Sequence, residues 1–356
     1  LDANGKAMHK SLGNVIDPQD MIKKYGADVL RLWVSSEDYT EDVSISEEML
    51  NRMSEAYRRI RNTFRFILGN LSDFDPAQHR VPENDFTPLD RWAFLEAHET
   101  LTVVTQAYEH YQFTKVFHQV DEFFSNGLSA GYFDILKDRL YTFATNSKER
   151  RAAQTVLSDI LKNFVVVVAP ILSFTAEEIW QALPEAFKRN EGKSVFEAKW
   201  PSLDEKTEAA LAQQGWETVE AIAQEWQTIF AVKVAVLKSL EGLRQAKTIG
   251  SSLEGEVDLY VSNDKVRQTL QKHAENLRYY FLVSQVSLKE GAAPADAVEG
   301  EDKNLGVKTV SRKSEGQKCA RCWNYYPANQ MDKILTDLCH RCAPVVKTHP
   351  AMATNG

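Results

Sequence analysis

Nowhere in the 356 residues does an uninterrupted apolar run reach the roughly 18 positions that a bilayer span needs. The longest, residues 164–172, is shorter and contains Pro170, so it reads as a buried helix end. Cysteine is almost absent: there are four, all between Cys319 and Cys342. An oxidised secreted scaffold spreads its cysteines to join distant segments, so that class is excluded. An excess of positive charge is also missing. Lys plus Arg number 42 against 50 Asp plus Glu, a net charge of −8. That excludes a protein basic all over, made to bind nucleic acid without discrimination, and leaves room for a local basic face. Asp2, Lys6 and Lys10 near the start precede no apolar block, so no secretory signal is expected. A reducing, cytoplasmic location without a membrane partner follows as the expectation. No fixed-period internal repeat is found.

What is present is an ordinary globular balance, 43% hydrophobic and 26% charged. The length suits two or three domains. The chain opens on Leu1, with chemistry expected within ten residues of it, which suggests a piece of something longer.

The first 45 residues read as a loop followed by mixed short elements. Pro18 suits the first turn of a helix over residues 19–24, and Gly26 suits its stop. From Ser46 the residues Met49, Met53, Ala56, Ile60, Phe64, Ile67 and Leu71 recur at helical spacing, predicting one long helix. Its start is capped by Ser44 with Glu47, or by Ser46 alone. Further helices are predicted from near Asp90, over 113–124, from Ser147 towards Ala169, and from a Thr175 cap to Leu183. A break is expected at Gly127–Gly131, with a segment over 132–141 after it. Short loops between such helices make an antiparallel bundle. Residues 190–201 read as a crossing loop, and helix resumes from about Lys206 to Ala246. Alternation at Val257, Leu259 and Val261 predicts a strand. Residues 265–279 read as helix, 281–288 as strand, and 291–304 as a linker.

Two stretches carry chemistry. Cys319-Ala-Arg-Cys322 and Cys339-His-Arg-Cys342 form the pattern C-x2-C-x16-C-x2-C. Each pair can fold as a knuckle placing two thiolates about 2.3 Å from one ion, and two knuckles complete a tetrahedron. No position is left for water, which makes a zinc there structural rather than catalytic. Two disulfides are the alternative use, and His340 is a rival ligand. Around the site, residues 312–347 hold seven Lys/Arg against three acids, with Trp323, Tyr325 and Tyr326 among them. Cations with aromatics make a stacking surface for unpaired RNA bases; equally, the aromatics of so small a module could be its core. Arg321 and Trp323 are the candidates for stacking. In the long helix, Arg52, Arg58, Arg59, Arg61 and Arg65 lie off the apolar stripe, and between residues 52 and 65 only Glu55 offsets them. Such cations suit phosphate contacts that orient RNA without reading it, or simply a solvated face. His110, His118 and the Val165–Val168 stripe are assigned to structure rather than to a ligand.

The second stretch is the polar loop Lys6-Ala-Met-His-Lys-Ser-Leu-Gly-Asn14. Such a loop can close over a phosphate and set the Lys10 ammonium on charge that builds in a transition state. With its flanking residues it resembles the KMSKS signature of class I aminoacyl-tRNA synthetases. Tyr25-Gly-Ala-Asp28 and Leu30-Arg-Leu-Trp33 resemble the stem-contact region that follows. Arg59-Ile-Arg-Asn-Thr63, Lys137-Asp-Arg-Leu-Tyr141, Ala169-Pro-Ile171 and Thr175-Ala-Glu-Glu-Ile-Trp180 resemble the helical anticodon-binding domain of the isoleucine, valine and leucine group. Lys247-Thr-Ile-Gly-Ser-Ser-Leu253 and the cysteine tail resemble the bacterial-type isoleucine enzymes in particular.

The resemblance implies a mainly α architecture: the KMSKS loop and stem-contact region over 1–45, a helical anticodon-binding bundle over 46–200, a small α+β junction over 201–304, and a four-cysteine zinc module over 305–356. It implies that Met8, His9, Lys10 and Ser11 contact ATP, which arrives with Mg²⁺, and that Lys10 is the catalytic member. It implies isoleucine–tRNA ligase activity, with tRNA(Ile), ATP and isoleucine as partners, and a monomer. Two residues depart from the signature: Ala7 replaces its first Lys and His9 its first Ser. His9 would offset part of the loss by donating to a phosphate, more strongly when protonated. No His-x-Gly-His signature occurs, so the nucleotide-binding fold, isoleucine pocket and editing domain are expected before Leu1, and the chain alone should not form isoleucyl-adenylate. A free-standing zinc-containing RNA-binding or adaptor protein remains a rival, as does a valine or leucine ligase.

Overall fold

A computed structural model describes residues 1–188, 192–201 and 216–348. It divides into two compact units, one of residues 1–132 and 151–216, the other of 133–150 and 217–356.

In the first unit, Asp17 accepts the Gln19 amide at 2.8 Å to start α1 (Pro18–Tyr25), which Gly26 ends at φ 89°. A second helix, α2 (Ala27–Ser36), follows at once, where the sequence suggested only short mixed elements. Helix α3 (Glu47–Asn70) forms as expected, with Ser46 accepting the Met49 amide. Its buried stripe is Leu50, Ala56, Ile60, Phe64 and Ile67, and Met49 and Met53 sit at its half-buried margin. After the short α4 (Pro76–His79), α5 (Pro88–Glu109) starts in a reciprocal capping box between Thr87 and Asp90. The Asp90 carboxylate also receives the buried Tyr132 hydroxyl at 2.7 Å.

Helix α6 (Phe113–Glu122) does not break at Gly127–Gly131. It continues as a π-helical stretch over Phe123–Phe133. The wider winding keeps Phe124, Leu128 and Tyr132 buried, and the Ser129 hydroxyl donates to the Phe124 carbonyl at 2.8 Å. That apolar content outweighs the helix-breaking tendency of the two glycines. Phe123 stacks on Phe164, and Phe124 packs against Phe64 and Phe164. Helix α7 (Asp134–Thr142) belongs to the second unit. Helix α8 (Lys148–Val168) stops before Pro170, and Val165–Val168 are all buried. Thr175 does not cap α9 (Ser173–Ala182): it lies inside the first turn, and a carboxylate from another helix serves that end. The short α10 (Glu185–Lys188) and a 3-10 turn over Val195–Glu197 follow.

In the second unit, α11 (Val219–Gln245) is capped by Thr218. The start predicted near Lys206 lies outside the described residues. A four-stranded sheet takes the order β2-β1-β4-β3, with β1 (Gly255–Val261) parallel to β2 (Gln285–Lys289) and antiparallel to β4 (Val307–Lys313). The 291–304 stretch is no mere linker: it contains β3 (Val298–Glu299), paired to β4. The helix predicted over 265–279 is two, α12 (Asp264–Lys272) and α13 (Leu277–Tyr280), parted where His273 turns in to meet Glu225 at 2.7 Å. A hairpin of β5 (Gln317–Lys318) and β6 (Tyr325–Tyr326), then α14 (Cys342–Thr348), carries the cysteines. Among the described residues, no helix is long and apolar enough to cross a membrane.

Candidate nucleic-acid interface and metal centre

The amino-terminal loop is held at both ends by two side chains. Asp2 accepts the amides of Asn4 and Lys6, both at 2.9 Å. Asn14 donates to the Asp2 carboxylate at 2.9 Å and accepts the His9 amide at 2.9 Å. The Asn14 hydrogen bond, followed by the two amides, holds the Asp2 carboxyl below its ordinary value. Between these pins Lys10–Leu12 makes one 3-10 turn, closed by Gly13 at φ 65°. His9 caps that turn: its Nδ1 accepts the Ser11 amide at 3.3 Å and lies 2.7 Å from the Ser11 hydroxyl. With Nδ1 an acceptor, the ring proton belongs on Nε2. His9 thus performs the N-cap task for which a serine is also suited. The Lys10 carbonyl accepts the Gly13 amide at 3.2 Å, while its exposed ammonium has no hydrogen-bond or ion-pair partner among the described residues.

The stem-contact phrases have structural employment. Asp28 accepts the Thr175 amide at 2.7 Å, its hydroxyl at 2.6 Å and the Phe174 amide at 3.3 Å. Arg31 donates to the Ile171 carbonyl at 2.8 Å and to that of Pro170. The α3 arginines divide. Arg59 grips both Asp121 oxygens at 3.0 and 3.1 Å and the Ser125 hydroxyl. Arg61 donates to Tyr57 and, at 2.6 Å, to Glu178. Arg58 and Arg65 stand exposed, and Arg52 lies 3.9 Å from Glu48 with a largely exposed side chain.

The four cysteines are buried and their sulfurs lie within 4.8 Å of one another, with Cys322 and Cys339 3.9 Å apart. Four thiolates about 2.3 Å from a zinc ion sit about 3.8 Å from each other, so the donor set fits a structural zinc. The Cys339 amide already donates to the Cys319 sulfur at 3.3 Å, a contact that suits a thiolate ligand. His340 points elsewhere, its Nδ1 3.2 Å from the Gln330 carbonyl. The aromatics divide as the arginines do. Tyr326 is in the module's core with Leu338, Ala343 and Val346. Trp323, in the left-handed region at φ 62°, is 54% exposed, and the Lys318 ammonium stands 5.7 Å from its ring.

One arginine precedes the second cysteine of each knuckle, and both reach α7. Arg321 donates to the carbonyls of Thr142 at 2.6 Å and Tyr141 at 3.3 Å, a cation on the helix's last oxygens. Arg341 forks onto Asp138 at 2.5 and 2.8 Å, its guanidinium over the Phe143 ring and 5.6 Å from that of Tyr279. Burial works against the Arg341 charge, but the Asp138 hydrogen bonds outweigh it and raise the guanidinium above its ordinary value. Arg278 stacks on Tyr279 and Tyr326 and donates to the Tyr326 hydroxyl. Sequence reasoning noted Lys137-Asp-Arg-Leu-Tyr141 and both knuckle arginines without joining them.

Residues 1–46 match the family of class I tRNA synthetases for I, L, M and V, residues 90–260 the anticodon-binding domain of tRNA ligase, and residues 316–345 the zinc finger found in FPG and IleRS. In that order they define a class I aminoacyl-tRNA synthetase. Isoleucine–tRNA ligase of Desulforamulus reducens is 43% identical over 98% of this chain and 36% of that protein. Those of Thermotoga maritima, at 39% over 97% and 36%, and Geobacter sulfurreducens, at 42% over 98% and 36%, are similar. The chain belongs to the isoleucine–tRNA ligase family and spans about a third of the length of these curated relatives. They favour that membership over a valine or leucine ligase or a free-standing adaptor. Among solved structures, a ternary complex of Agrobacterium radiobacter LeuRS overlaps with a TM-score of 0.44 and 21% identity, over 58% of this chain and 23% of that one, too slight a likeness to place the fold.

Proposed function

We propose that this chain is the tRNA-holding part of an isoleucine–tRNA ligase, an enzyme that activates isoleucine with ATP and transfers it to tRNA(Ile). The observation that carries the reading is the four-cysteine module with Trp323 standing clear of its core beside Lys318. An exposed indole with a neighbouring ammonium offers an unpaired base a stacking face and a phosphate partner. Arg52, Arg58 and Arg65 would add phosphate contacts that orient the RNA. Arg321, bonded to α7, would line the surface rather than stack on a base. The zinc would hold the knuckles in place and take no part in acyl transfer.

Lys10 is the residue we assign to ATP, which comes as its Mg²⁺ complex. Its ammonium would neutralise charge accumulating on the phosphates as the isoleucine carboxylate attacks the α-phosphorus and pyrophosphate leaves. Met8, His9 and Ser11 would shape the turn that presents it. The isoleucine pocket is assigned to the part of the enzyme beyond this chain. A monomer working in the cytoplasm is the expected setting. The test is aminoacylation of tRNA(Ile) by the full-length ligase containing this chain, with isoleucine, valine and leucine in parallel. Charging with isoleucine alone is expected; preferential charging with another of the three overturns the assignment.

A further inference from the structure

The pair Asp138 and Arg341, with Arg321, carries an inference that rests on the tRNA reading above. We infer that α7 is the seat of the zinc module, and that Asp138 is a positioning residue for tRNA recognition although it touches no RNA. Three observations support this. Each knuckle sends the same kind of side chain, from the same place before its second cysteine, to the same helix. The two arginines meet α7 at separate points, Asp138 and the carbonyls of Tyr141 and Thr142, so the module can neither turn about one contact nor slide along the helix. The fork itself demands coplanar guanidinium and carboxylate, a geometry lysine cannot reproduce. Trp323 directly follows the Cys322 ligand, and its amide donates to the Cys319 carbonyl at 2.9 Å. Whatever fixes the first knuckle therefore fixes the indole. The Arg278 guanidinium, sandwiched near Tyr279 and Tyr326, closes the same joint from the α13 side.

On this view, the zinc sets the module's internal shape and α7 sets its direction. The two functions separate by experiment in the full-length ligase. Asp138→Asn and Arg341→Lys should each keep one zinc per chain. The KM for tRNA(Ile) should rise about tenfold, near 1.4 kcal/mol of binding, while kcat stays within a few-fold. Asp138→Glu, which retains a carboxylate fork, should recover most of that loss. Hydrogen exchange over residues 316–345 should quicken in Asp138→Asn with the zinc still bound. An unchanged KM, or unchanged exchange, overturns the inference. So does loss of zinc together with the rise in KM, which would make Asp138 a support of the metal site instead. Trp323→Ala serves as the reference. If it raises the KM and Asp138→Asn does not, the positioning role alone fails. If neither raises it, the tRNA reading of the module fails.

Discussion

Asp28 caps a helix that begins 145 residues later in the chain: its carboxylate takes the backbone amide and the hydroxyl of Thr175 at 2.7 and 2.6 Å. Both groups are buried, so the contact replaces the side-chain cap that α9 lacks at Leu172. Negative charge there also meets the positive end of the helix dipole.

Removing that carboxylate strands the Phe174 and Thr175 amides and takes one of the Thr175 hydroxyl's two partners, leaving Tyr57 at 3.0 Å. Asp28→Ala should lower unfolding free energy by about 2–3 kcal/mol, and Thr175→Val by about 1 kcal/mol. Urea denaturation followed by far-ultraviolet dichroism measures both; a change within error for Asp28→Ala would mean that water replaces the cap.

Lys10 and His9 should act differently within one turn. Lys10→Ala should slow isoleucine-dependent ATP–pyrophosphate exchange by roughly ten- to a hundredfold, the value of one charged hydrogen bond of about 1.5–3 kcal/mol. His9 should matter as a cap. His9→Ala is expected to slow exchange several-fold, and His9→Ser, which keeps an acceptor for the Ser11 amide, to restore it. Equal losses in Ala and Ser variants would return His9 to direct phosphate contact.

The α3 arginines should sort by partnership. Alanine at Arg52, Arg58 or Arg65 should weaken tRNA binding and reduce the salt slope of log K by about one per residue. Alanine at Arg59 or Arg61 should cost stability first, since it abandons Asp121 or Glu178. Filter binding across a potassium chloride series, beside urea melts of the same proteins, separates the two sets.

Zinc removal should unfold the module and leave the helices. After chelation, or in Cys339→Ser, protease should cut within residues 316–345 while helical dichroism changes little, because the sulfurs hold a small core of Tyr326, Leu338, Ala343 and Val346, edged by Met331 and Leu335. Unaltered resistance in the metal-stripped protein would show that this small core folds without the ion.

Local signals were legible in the sequence, and long-range ones were not. The α3 stripe, the Pro18 helix and the cysteine spacing each sit within one element or one motif, so periodicity and ligand geometry reveal them. The π-helical run through Gly127 and Gly131 was hidden, because propensity counts two glycines while Phe124, Leu128 and Tyr132 offset them through burial. Strand β4 escaped because its burial alternates only over Val307 and Thr309 before turning polar. The Thr175 cap was misplaced because its acceptor comes from α2, and the α7 clamp because Arg341 and Asp138 lie 203 residues apart. Arg59, Arg61 and Arg321 look alike with the exposed arginines in sequence; only their acceptors distinguish them.

The most direct test is the KM for tRNA(Ile) of the full-length ligase carrying Trp323→Ala, with zinc content measured on the same preparation. A rise of about tenfold or more at one zinc per chain is expected, the loss of one base stacked on an indole. An unchanged KM with zinc retained would contradict tRNA recognition by this module.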